Sequence, residues 1–332
     1  MGSKEKLNIP VLNEVLKPVA SENKEFAVRF KNSMRSNVPL LDLVLRFILK
    51  QKGKKIRPLI VLLSSKIAGE INDRTYRGAV LVELLHTATL VHDDVVDEAD
   101  KRRGFPSINK IWNNKVAVLV GDYLLSKGLL LSVTSKDFDF LETVSQTVKR
   151  MSEGELLQSK KTRKLDMDEE TYFKVISDKT ASLIETCCVV GGLSVTDNTQ
   201  YIDALRSYGN SLGLAFQIID DILDFEGNSK LFGKPIGGDI KEKKITLPLI
   251  YALQNVDKKE SDSIRKMIKK GSNDKDVRFI IEFIERNNGI KMAQEKAEQL
   301  SERAKESIQV FPESESKVAL ESLVEFVVKR EN

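Results

Sequence analysis

The stretch LVHDDVVDEADKRRG (residues 90–104) carries three aspartates at DDxxD spacing, followed by two adjacent arginines. The aspartates are Asp93, Asp94 and Asp97. On a helix, residues i and i+4 lie only about 40° apart, so Asp93 and Asp97 would share a face, with Asp94 about 100° round. The apolar flanks predict at least partial burial, where unpaired carboxylates are costly. A cation is therefore expected among the acids, and an anion near the arginines.

The same spacing recurs in FQIIDDILDF (residues 216–225), with Asp220, Asp221 and Asp224. A lone DDxxD is more often a solvated acidic face. Two copies within apolar sequence favour binding of hard divalent cations, and carboxylate oxygens with almost no nitrogen or sulphur nearby suit Mg²⁺. Because Mg²⁺ completes its shell with water and phosphate, two facing patches are predicted to clamp one polyphosphate.

Helix-period apolar patterns fill the proline-free span from Ser107 to Lys234 and recur near the C-terminus. No run of alternating β-branched residues is bounded by hairpin turns. The sequence therefore predicts an all-α fold, with residues 1–332 forming a single helical domain. The pattern starting at LDMDEE is expected to form one helix that ends at Gly191–Gly192.

The composition excludes several classes of protein. The net charge is only +4 and aromatic residues make up 6%, which argues against a nucleic-acid partner.

The adjacent Cys187 and Cys188 are expected to be buried and reduced, as in a cytoplasmic protein. No signal peptide, myristoylation signal or apolar run of membrane-spanning length is found, so we expect a cytoplasmic protein without a transmembrane segment.

Basic and polar groups accompany each acidic cluster. KGKKIRP contains Lys54 and Arg57, DKTAS contains Lys179 and Thr180, and the glycine-rich loop 226–244 contains Lys234. Arginine forks suit diphosphate oxygens, and lysines add point charge. His86 lies seven residues before Asp93 on the same predicted face, whereas His92 is expected to be a packing residue. A Walker A loop is absent, so an ATPase is not supported.

Seven ordered motifs between Lys52 and Pro248 resemble the trans-isoprenyl diphosphate synthases of the polyprenyl synthetase type. These motifs are GKKIRP, HTATLVHDDVVDEADKRRG, GDYLL, EGELLQ, DKTASL, FQIIDDILD and GKPIGGDIKEKKITLPLI. The resemblance implies antiparallel helices around a deep cavity, and a homodimer. It implies 1'-4 trans condensation of isopentenyl diphosphate with an allylic diphosphate, using about three Mg²⁺ ions with substrate bound.

The resemblance also implies roles for individual residues. Asp93, Asp97 and Asp220 would be the main Mg²⁺ ligands, and Asp94, Asp221 and Asp224 would complete the clusters. The allylic diphosphate would be held by Arg102, Lys179, Thr180, Gln217 and Lys234. Isopentenyl diphosphate would be held by Lys54, Arg57, His86 and Arg103. Within GDIKEKK, Lys243 stands where the family often has glycine, so the turn there is expected to be less permissive.

Product length is predicted from the helix that leads into the first cluster. Ala88 and Thr89 lie about 6–7.5 Å down the helix axis from Asp93. In short-chain family members a bulky aromatic at one of these positions closes the cavity, but here both are small. The cavity is expected to continue past Leu85, giving a product of about thirty carbons or more for quinone biosynthesis, handed on to a membrane enzyme.

Other interpretations remain open from the sequence. A short-chain synthase making farnesyl or geranylgeranyl diphosphate would fit if another residue closed the cavity. A class I terpene cyclase would lack the Lys54, Arg57 and Arg103 group and would carry a different second motif. A non-catalytic partner subunit would be expected to lose aspartates, yet all six are present. A helical scaffold would not need basic loops beside each acidic patch.

Overall fold

The structure, a computed structural model, describes residues 12–51, 55–102, 104–226 and 236–329. The predicted all-α fold is confirmed. The first eight helices are α1 (Leu12–Val15), α2 (Ala20–Ser33), α3 (Pro39–Lys50), α4 (Ile56–Ala68), α5 (Asp73–Val96), α6 (Ile108–Trp112), α7 (Asn114–Thr134) and α8 (Phe138–Lys164). The only strands in the described ranges are β1 (Lys101–Arg102) and β2 (Phe105–Pro106), which pair antiparallel.

The second half continues in the same manner. Its helices are α9 (Glu169–Ile176), α10 (Ser182–Leu193), α11 (Thr199–Glu226), α12 (Gly238–Lys241), α13 (Leu247–Gln254), α14 (Lys258–Lys270), α15 (Asp274–Arg286), α16 (Gly289–Ser307) and α17 (Glu315–Val328). Short 3₁₀ turns span Lys17–Val19 and Ile308–Val310, and a π-helical turn spans Ser177–Ala181.

Helix α5 carries the first acidic cluster at its C-terminal end. Its start is fixed by a capping box, in which the Asn72 side chain accepts from the backbone of Thr75 and the Thr75 side chain accepts from the backbone of Asn72. The helix is buried almost continuously from Gly78 to Ala88, because α4, α7 and α10 pack around it. Burial on all sides explains why its central part shows no polar face.

Helix α11 carries the second cluster and joins two hydrophobic clusters. Its first half packs Leu205 and Leu212 among the N-terminal helices. Its second half packs Ile218 and Ile222 against the C-terminal helices. Both apolar clusters therefore share one long helix. The interpretation of residues 1–332 as one domain stays a prediction.

Helix α7 bears on the expectation that no segment spans a membrane. Asn114–Thr134 is the one helix in the described part of the chain that is long and apolar enough to cross a membrane, judged by length and composition alone. Only a third of its most apolar window is buried. Core helices of soluble proteins pass the same test, so the helix is weak evidence for a span.

The helix predicted to run continuously to Gly191–Gly192 is interrupted. A π-helical turn at Ser177–Ala181 separates α9 from α10. The loop predicted at 226–244 also contains the short helix α12, while residues 227–235 lie outside the described ranges. Helices α7 and α11 lie within the span from Ser107 to Lys234 that the apolar patterns fill.

Candidate active site

The first acidic cluster lies at the end of α5, where the helix turns into the β1–β2 hairpin. Asp93 and Asp97 are exposed and share a face, as their spacing predicts. Asp94, about 100° round, is only 3% exposed. The Nε atom of Arg102 donates to Oδ1 of Asp94 at 2.5 Å. Arg102 and Asp94 thus form a partly buried ion pair beside the cluster.

The charge of Asp93 is coupled to groups from three other parts of the chain. Desolvation of its carboxylate raises the pKa of Asp93, Lys179 lowers it, and the neighbouring carboxylates of Glu155 and Asp97 raise it. The net effect is a pKa above the usual value. Desolvation and the neighbouring acids thus disfavour the charged form of Asp93, and a bound cation would relieve this.

In the second cluster, as in the first, one aspartate is more buried than the others. Asp220 is half-buried, whereas Asp221 is buried. The carboxylate of Asp224 accepts hydrogen bonds from the backbone N–H groups of Gly238 at 3.2 Å and Asp239 at 3.0 Å. Asp224 thereby fixes the start of α12 to the end of α11, and its two oxygens are engaged by backbone.

Asp221 has the most perturbed carboxyl group of the site. The Tyr172 hydroxyl donates to Oδ2 of Asp221 at 2.6 Å, and Nε2 of Gln217 donates to Oδ1 at 2.8 Å. Burial and the negative charge of Asp239 raise the pKa of Asp221 to about 8, although the two hydrogen bonds oppose the shift. Crowding of buried carboxylates in this way indicates a place for a cation or a proton.

A cleft of about 570 Å³, partly open to solvent, lies in front of Asp221. It is formed by α8, α9, the π-helical turn, α11 and the segment that follows α12. Its polar lining residues are Gln158, Thr162, Tyr172, Lys179, Thr180, Gln217, Asp221, Asp239, Lys244 and Thr246. The predicted site residues Lys179, Thr180, Gln217 and Asp221 are therefore brought together.

Lys179 and Thr180 point to opposite walls of this cleft. The Lys179 ammonium lies 2.6 Å from Oε2 of Glu155 and donates to Oε1 of Gln158 at 2.7 Å. The Thr180 hydroxyl donates to Oε1 of Gln217 at 2.8 Å. The chain of bonds from Thr180 through Gln217 continues to Asp221, so the π-helical turn is linked directly to the second cluster.

Lys244 connects the two acidic clusters electrostatically. Burial opposes its charge, but Glu242, Asp239 and Asp97 outweigh this and raise the pKa of Lys244. Asp97 belongs to the first cluster and Asp239 lies beside the second. One lysine is therefore influenced by both, which supports a single site between the ends of α5 and α11.

A second basic group lies near α5. Nη1 of Arg57 donates to Nε2 of His86 at 2.9 Å, and His86 is only 8% exposed. Three residues predicted for diphosphate binding, Lys54, Arg103 and Lys234, lie outside the described residues. His92 is half-buried and contacts α7, with Nε2 at 3.2 Å from the carbonyl oxygen of Val118 and 3.4 Å from Oδ1 of Asp122.

The residues predicted to control product length lie along α5. Leu85 and Ala88 are each only 2% exposed. Thr89 is half-buried and donates its hydroxyl to the carbonyl oxygen of His86 at 2.9 Å. None of these three side chains lines the cleft in front of Asp221. Their role stays a prediction.

The metal ligands do not converge on a preformed site. Within the described ranges, no three histidine, cysteine or acidic side chains are close enough to hold an ion on their own. The donor set consists of carboxylate oxygens near the C-terminal ends of α5 and α11. This fits Mg²⁺, which commonly takes one or two carboxylates and completes its shell with water and phosphate.

The sequence of the whole chain was compared with known proteins. The profile of the family "Polyprenyl synthetase" matches residues 38–284. The chain belongs to the polyprenyl synthetase family. It is accordingly an enzyme, a prenyltransferase with the helical fold of isoprenyl diphosphate synthases.

Three relatives illustrate the range of this family. The chain is 35% identical to an all-trans-nonaprenyl-diphosphate synthase (geranyl-diphosphate specific) of Rhodobacter capsulatus, over 96% of this chain and 97% of that protein. It is 36% identical to a short chain isoprenyl diphosphate synthase of Methanothermobacter thermautotrophicus, over 84% and 87%. A polyprenyl synthase of Caulobacter crescentus, solved with calcium and isoprenyl diphosphate, superimposes with a TM-score of 0.89 at 30% identity, covering 97% and 98%.

Several polar residues of the site were not among the sequence-based candidates. Tyr172 gave no signal, because its helix shows only an ordinary amphipathic pattern. Glu155 lies in the EGELLQ motif and Asp239 in the glycine-rich motif. Reading those motifs residue by residue could have identified both. Only the fold reveals that Tyr172 and Asp239 line one cleft and that Glu155 pairs with Lys179.

Proposed function

We propose that the chain condenses isopentenyl diphosphate with an allylic diphosphate by 1'-4 trans addition, and that the product carries about thirty carbons or more. The observation that carries this proposal is the cleft that brings Lys179, Thr180, Gln217 and Asp221 together, beside a lysine, Lys244, whose charge is stabilised by Asp97 of the first cluster and by Asp239. Two acidic helix ends with intervening cations match the charge of a metal-bound diphosphate.

Asp93, Asp97 and Asp220 are proposed as the main Mg²⁺ ligands, with Asp221 and Asp239 supporting the second cluster. About three Mg²⁺ ions would screen the diphosphate and stabilise it as a leaving group. Raised pKa values at Asp93 and Asp221 support this, since desolvation, together with neighbouring carboxylates, disfavours the charged form of both groups and a bound cation would relieve this. The Caulobacter crescentus structure with calcium and isoprenyl diphosphate also supports a divalent cation beside a diphosphate.

Lys179, Arg102 and Lys234 are proposed to hold the allylic diphosphate. Lys179 lies between Glu155 and Gln158 and can exchange these partners for phosphate oxygens. Arg102 is anchored by Nε to Asp94, which leaves the rest of its fork available for phosphate. Asp94 is therefore best interpreted as a support for Arg102, and Asp224 as a support for α12.

Isopentenyl diphosphate is proposed to bind beside Arg57 and His86, together with Lys54 and Arg103. Acceptance of a hydrogen bond at Nε2 requires His86 to carry its proton on Nδ1 when the imidazole is neutral. The Arg57 guanidinium would then contact both the imidazole and the substrate. The proposed contact thus uses a cation on α4 that is held by a histidine on α5.

The proposed reaction begins with cleavage of the allylic carbon–oxygen bond, and the bonding pair leaves with the diphosphate. The double bond of isopentenyl diphosphate attacks the allylic cation and forms the new carbon–carbon bond. Loss of a proton, taken up by the departed diphosphate, restores a double bond. Oriented dipoles of Thr180 and Gln217 stabilise positive charge where water is scarce.

Product length is proposed from the small side chains of Ala88 and Thr89. Relatives of similar identity make long and short chains, so overall likeness does not decide the question. Leu85 and Ala88 follow one face of α5 away from the metals, and neither would obstruct a growing chain as an aromatic would. A quinone side chain, handed on to a membrane enzyme, is the proposed fate of the product.

We further propose a cytoplasmic homodimer that forms through α7. Four large apolar side chains on this helix are at least 40% exposed: Val118, Leu119, Leu130 and Val133. They recur at helical spacing and form one stripe. An apolar stripe of this kind on a protein surface commonly marks an interface. The same stripe accounts for the apolar composition of α7.

An elongation assay tests the proposed reaction. The purified protein is incubated with labelled isopentenyl diphosphate and an allylic diphosphate, with Mg²⁺ or with an excess of chelator. Label is expected in organic-extractable product only when both substrates and Mg²⁺ are present. Product formed from the allylic diphosphate alone would indicate a cyclase and would contradict the proposal.

A further inference from the structure

The π-helical turn at Ser177–Ala181 carries two of the proposed diphosphate-site residues, Lys179 and Thr180. The backbone N–H of Ser182 bonds to the carbonyl oxygen of Ser177, a spacing of five residues instead of four. Such turns are rare and occur frequently at functional sites, because they re-aim side chains relative to a regular helix. Something in the surrounding structure must hold this turn in place.

Two helices approach the turn closely on opposite sides. A Cβ atom at Gly154 of α8 would lie 3.0 Å from Cβ of Asp178 and 3.1 Å from the backbone N of Lys179. A Cβ atom at Gly213 of α11 would lie 2.5 Å from Cα of Ala181. Close backbone approach of this kind requires glycine. The turn is therefore clamped between α8 and α11.

Arg150, one turn before Gly154 on α8, adds a directional contact. Its Nε lies 3.0 Å from Oδ1 of Asp178, and its Nη2 donates to Oγ of Ser177 at 3.2 Å. Its Nη1 lies 3.2 Å from Oε2 of Glu185. The guanidinium fork thus holds both first residues of the turn, in the geometry that arginine provides and lysine does not.

The ion pair between Arg150 and Asp178 is partly buried, so its loss would be costly. Asp178 is only 8% exposed. Its other charged partner is Lys174, whose Nζ lies 3.0 Å from Oδ2 of Asp178 and whose side chain is exposed. Removal of Arg150 would leave a buried carboxylate with weaker compensation, which is costly. Glu185, by contrast, would keep Arg206 and Asn210 as partners.

We propose that Arg150 is a positioning residue that holds Asp178 and so fixes the π-helical turn that presents Lys179 and Thr180 to the allylic diphosphate. Arg150 contacts no proposed substrate atom. It acts through the backbone of the turn, one residue before Lys179. This inference rests on the proposed function, because it assigns Arg150 to the allylic half of that site.

The test compares Arg150→Met with Arg206→Met. Both variants lose an arginine paired with Glu185, but only Arg150 contacts Asp178. For Arg150→Met we expect kcat/KM for the allylic diphosphate to fall about tenfold or more, with KM for isopentenyl diphosphate within about twofold of wild type. Arg206→Met is expected to match wild type. Asp178→Asn should reproduce the Arg150→Met effect, and Arg150→Lys should restore part of the loss.

A double-mutant cycle tests whether Arg150 acts through Lys179. In a Lys179→Ala background, Arg150→Met should cause a clearly smaller loss than in wild type, because one of the two residues through which it acts is already absent. Equal rises in both KM values, an effect shared by Arg206→Met, or full additivity with Lys179→Ala would overturn the proposal. Circular dichroism and thermal melting of each variant identify any general loss of folding.

A binding measurement keeps this inference separate from the proposed reaction. Inorganic diphosphate with Mg²⁺ is titrated calorimetrically into wild type, Arg150→Met and Arg206→Met. Weaker binding only in Arg150→Met supports the positioning role even if no elongation is observed, whereas absence of wild-type elongation counts against the proposed function. Equal binding by all three proteins would contradict the role of Arg150.

Discussion

The hydroxyl of Tyr172 donates a 2.6 Å hydrogen bond to Oδ2 of the buried carboxylate of Asp221. Tyr172 lies on α9 and Asp221 on α11, so the bond joins two walls of the cleft behind the second acidic cluster. Removal of a group that hydrogen-bonds to a metal ligand and orients it commonly lowers metal affinity or activity by about 10–100-fold. Tyr172 is therefore expected to tune the second cluster without contacting substrate.

Substitution Tyr172→Phe tests this relationship. Asp221 would keep only the Gln217 bond, and its carboxylate would be held less firmly. We expect the Mg²⁺ concentration for half-maximal activity to rise about tenfold. Tyr251→Phe is the matched control, because Tyr251 donates to Glu169 at 2.8 Å and contacts neither cluster. A similar Mg²⁺ requirement in both variants would show that the Tyr172 bond is not coupled to the metals.

Loss of either cluster should stop turnover without unfolding the chain. For Asp93→Ala and Asp220→Ala we expect the rate to fall by about 10³-fold, equivalent to ~4 kcal/mol of transition-state stabilisation. Asp203→Ala is the control, because Asp203 is exposed and lies near the N-terminal end of α11, whereas Asp220 lies near the C-terminal end. Turnover and circular dichroism are measured together. Near-normal turnover in either cluster variant would refute a two-cluster site.

Ala88→Phe is expected to shorten the product. The aromatic ring would point from α5 into the space proposed for the growing chain. Because Ala88 is buried, the variant should also lose about 1–3 kcal/mol of stability from overpacking. Chromatography of dephosphorylated products gives their length, and Ala27→Phe on the exposed face of α2 is the control. Unchanged length would place the limiting wall elsewhere.

Lys243 has a φ of 61°, in the left-handed region. Glycine adopts this conformation without a steric cost, and the expectation of a less permissive turn at this lysine stays a prediction. A residue with a Cβ atom pays about 1–2 kcal/mol for this conformation. Lys243→Gly is expected to be more stable than Lys243→Ala by about 1 kcal/mol, because glycine adopts the left-handed conformation freely. The two variants are comparable because both lose the 3.2 Å bond from Nζ to the carbonyl oxygen of Lys269. Equal melting temperatures would indicate that the turn is unstrained.

The stripe on α7 makes a prediction about assembly. Leu119→Glu combined with Leu130→Glu should convert a dimer to a monomer, because two buried charges at an apolar interface are strongly unfavourable. Light scattering at micromolar protein gives the mass. Val28→Glu, an equally exposed apolar position on α2, should leave the mass unchanged. A monomeric wild type would remove the α7 interface.

The sequence predicted the helices and the clusters because both depend on local spacing. The i, i+4 rule correctly separated Asp93 and Asp97 from Asp94, which the structure buries against Arg102. The π-helical turn could not be predicted, since it depends on close approach at Gly154 and Gly213 from distant helices. Tyr172 was missed for the same reason. Its partner lies 49 positions further along the chain.

The most direct test of the central claim is the length distribution of the wild-type product. Pure protein is incubated with Mg²⁺, labelled isopentenyl diphosphate and farnesyl diphosphate, and the dephosphorylated chains are resolved by length. A dominant product of about thirty carbons or more is expected, since the small side chains of Ala88 and Thr89 are proposed to leave the path along α5 open. Products that stop at about fifteen or twenty carbons, also from shorter primers, would contradict the open path. No elongation at all would contradict the account of the site itself.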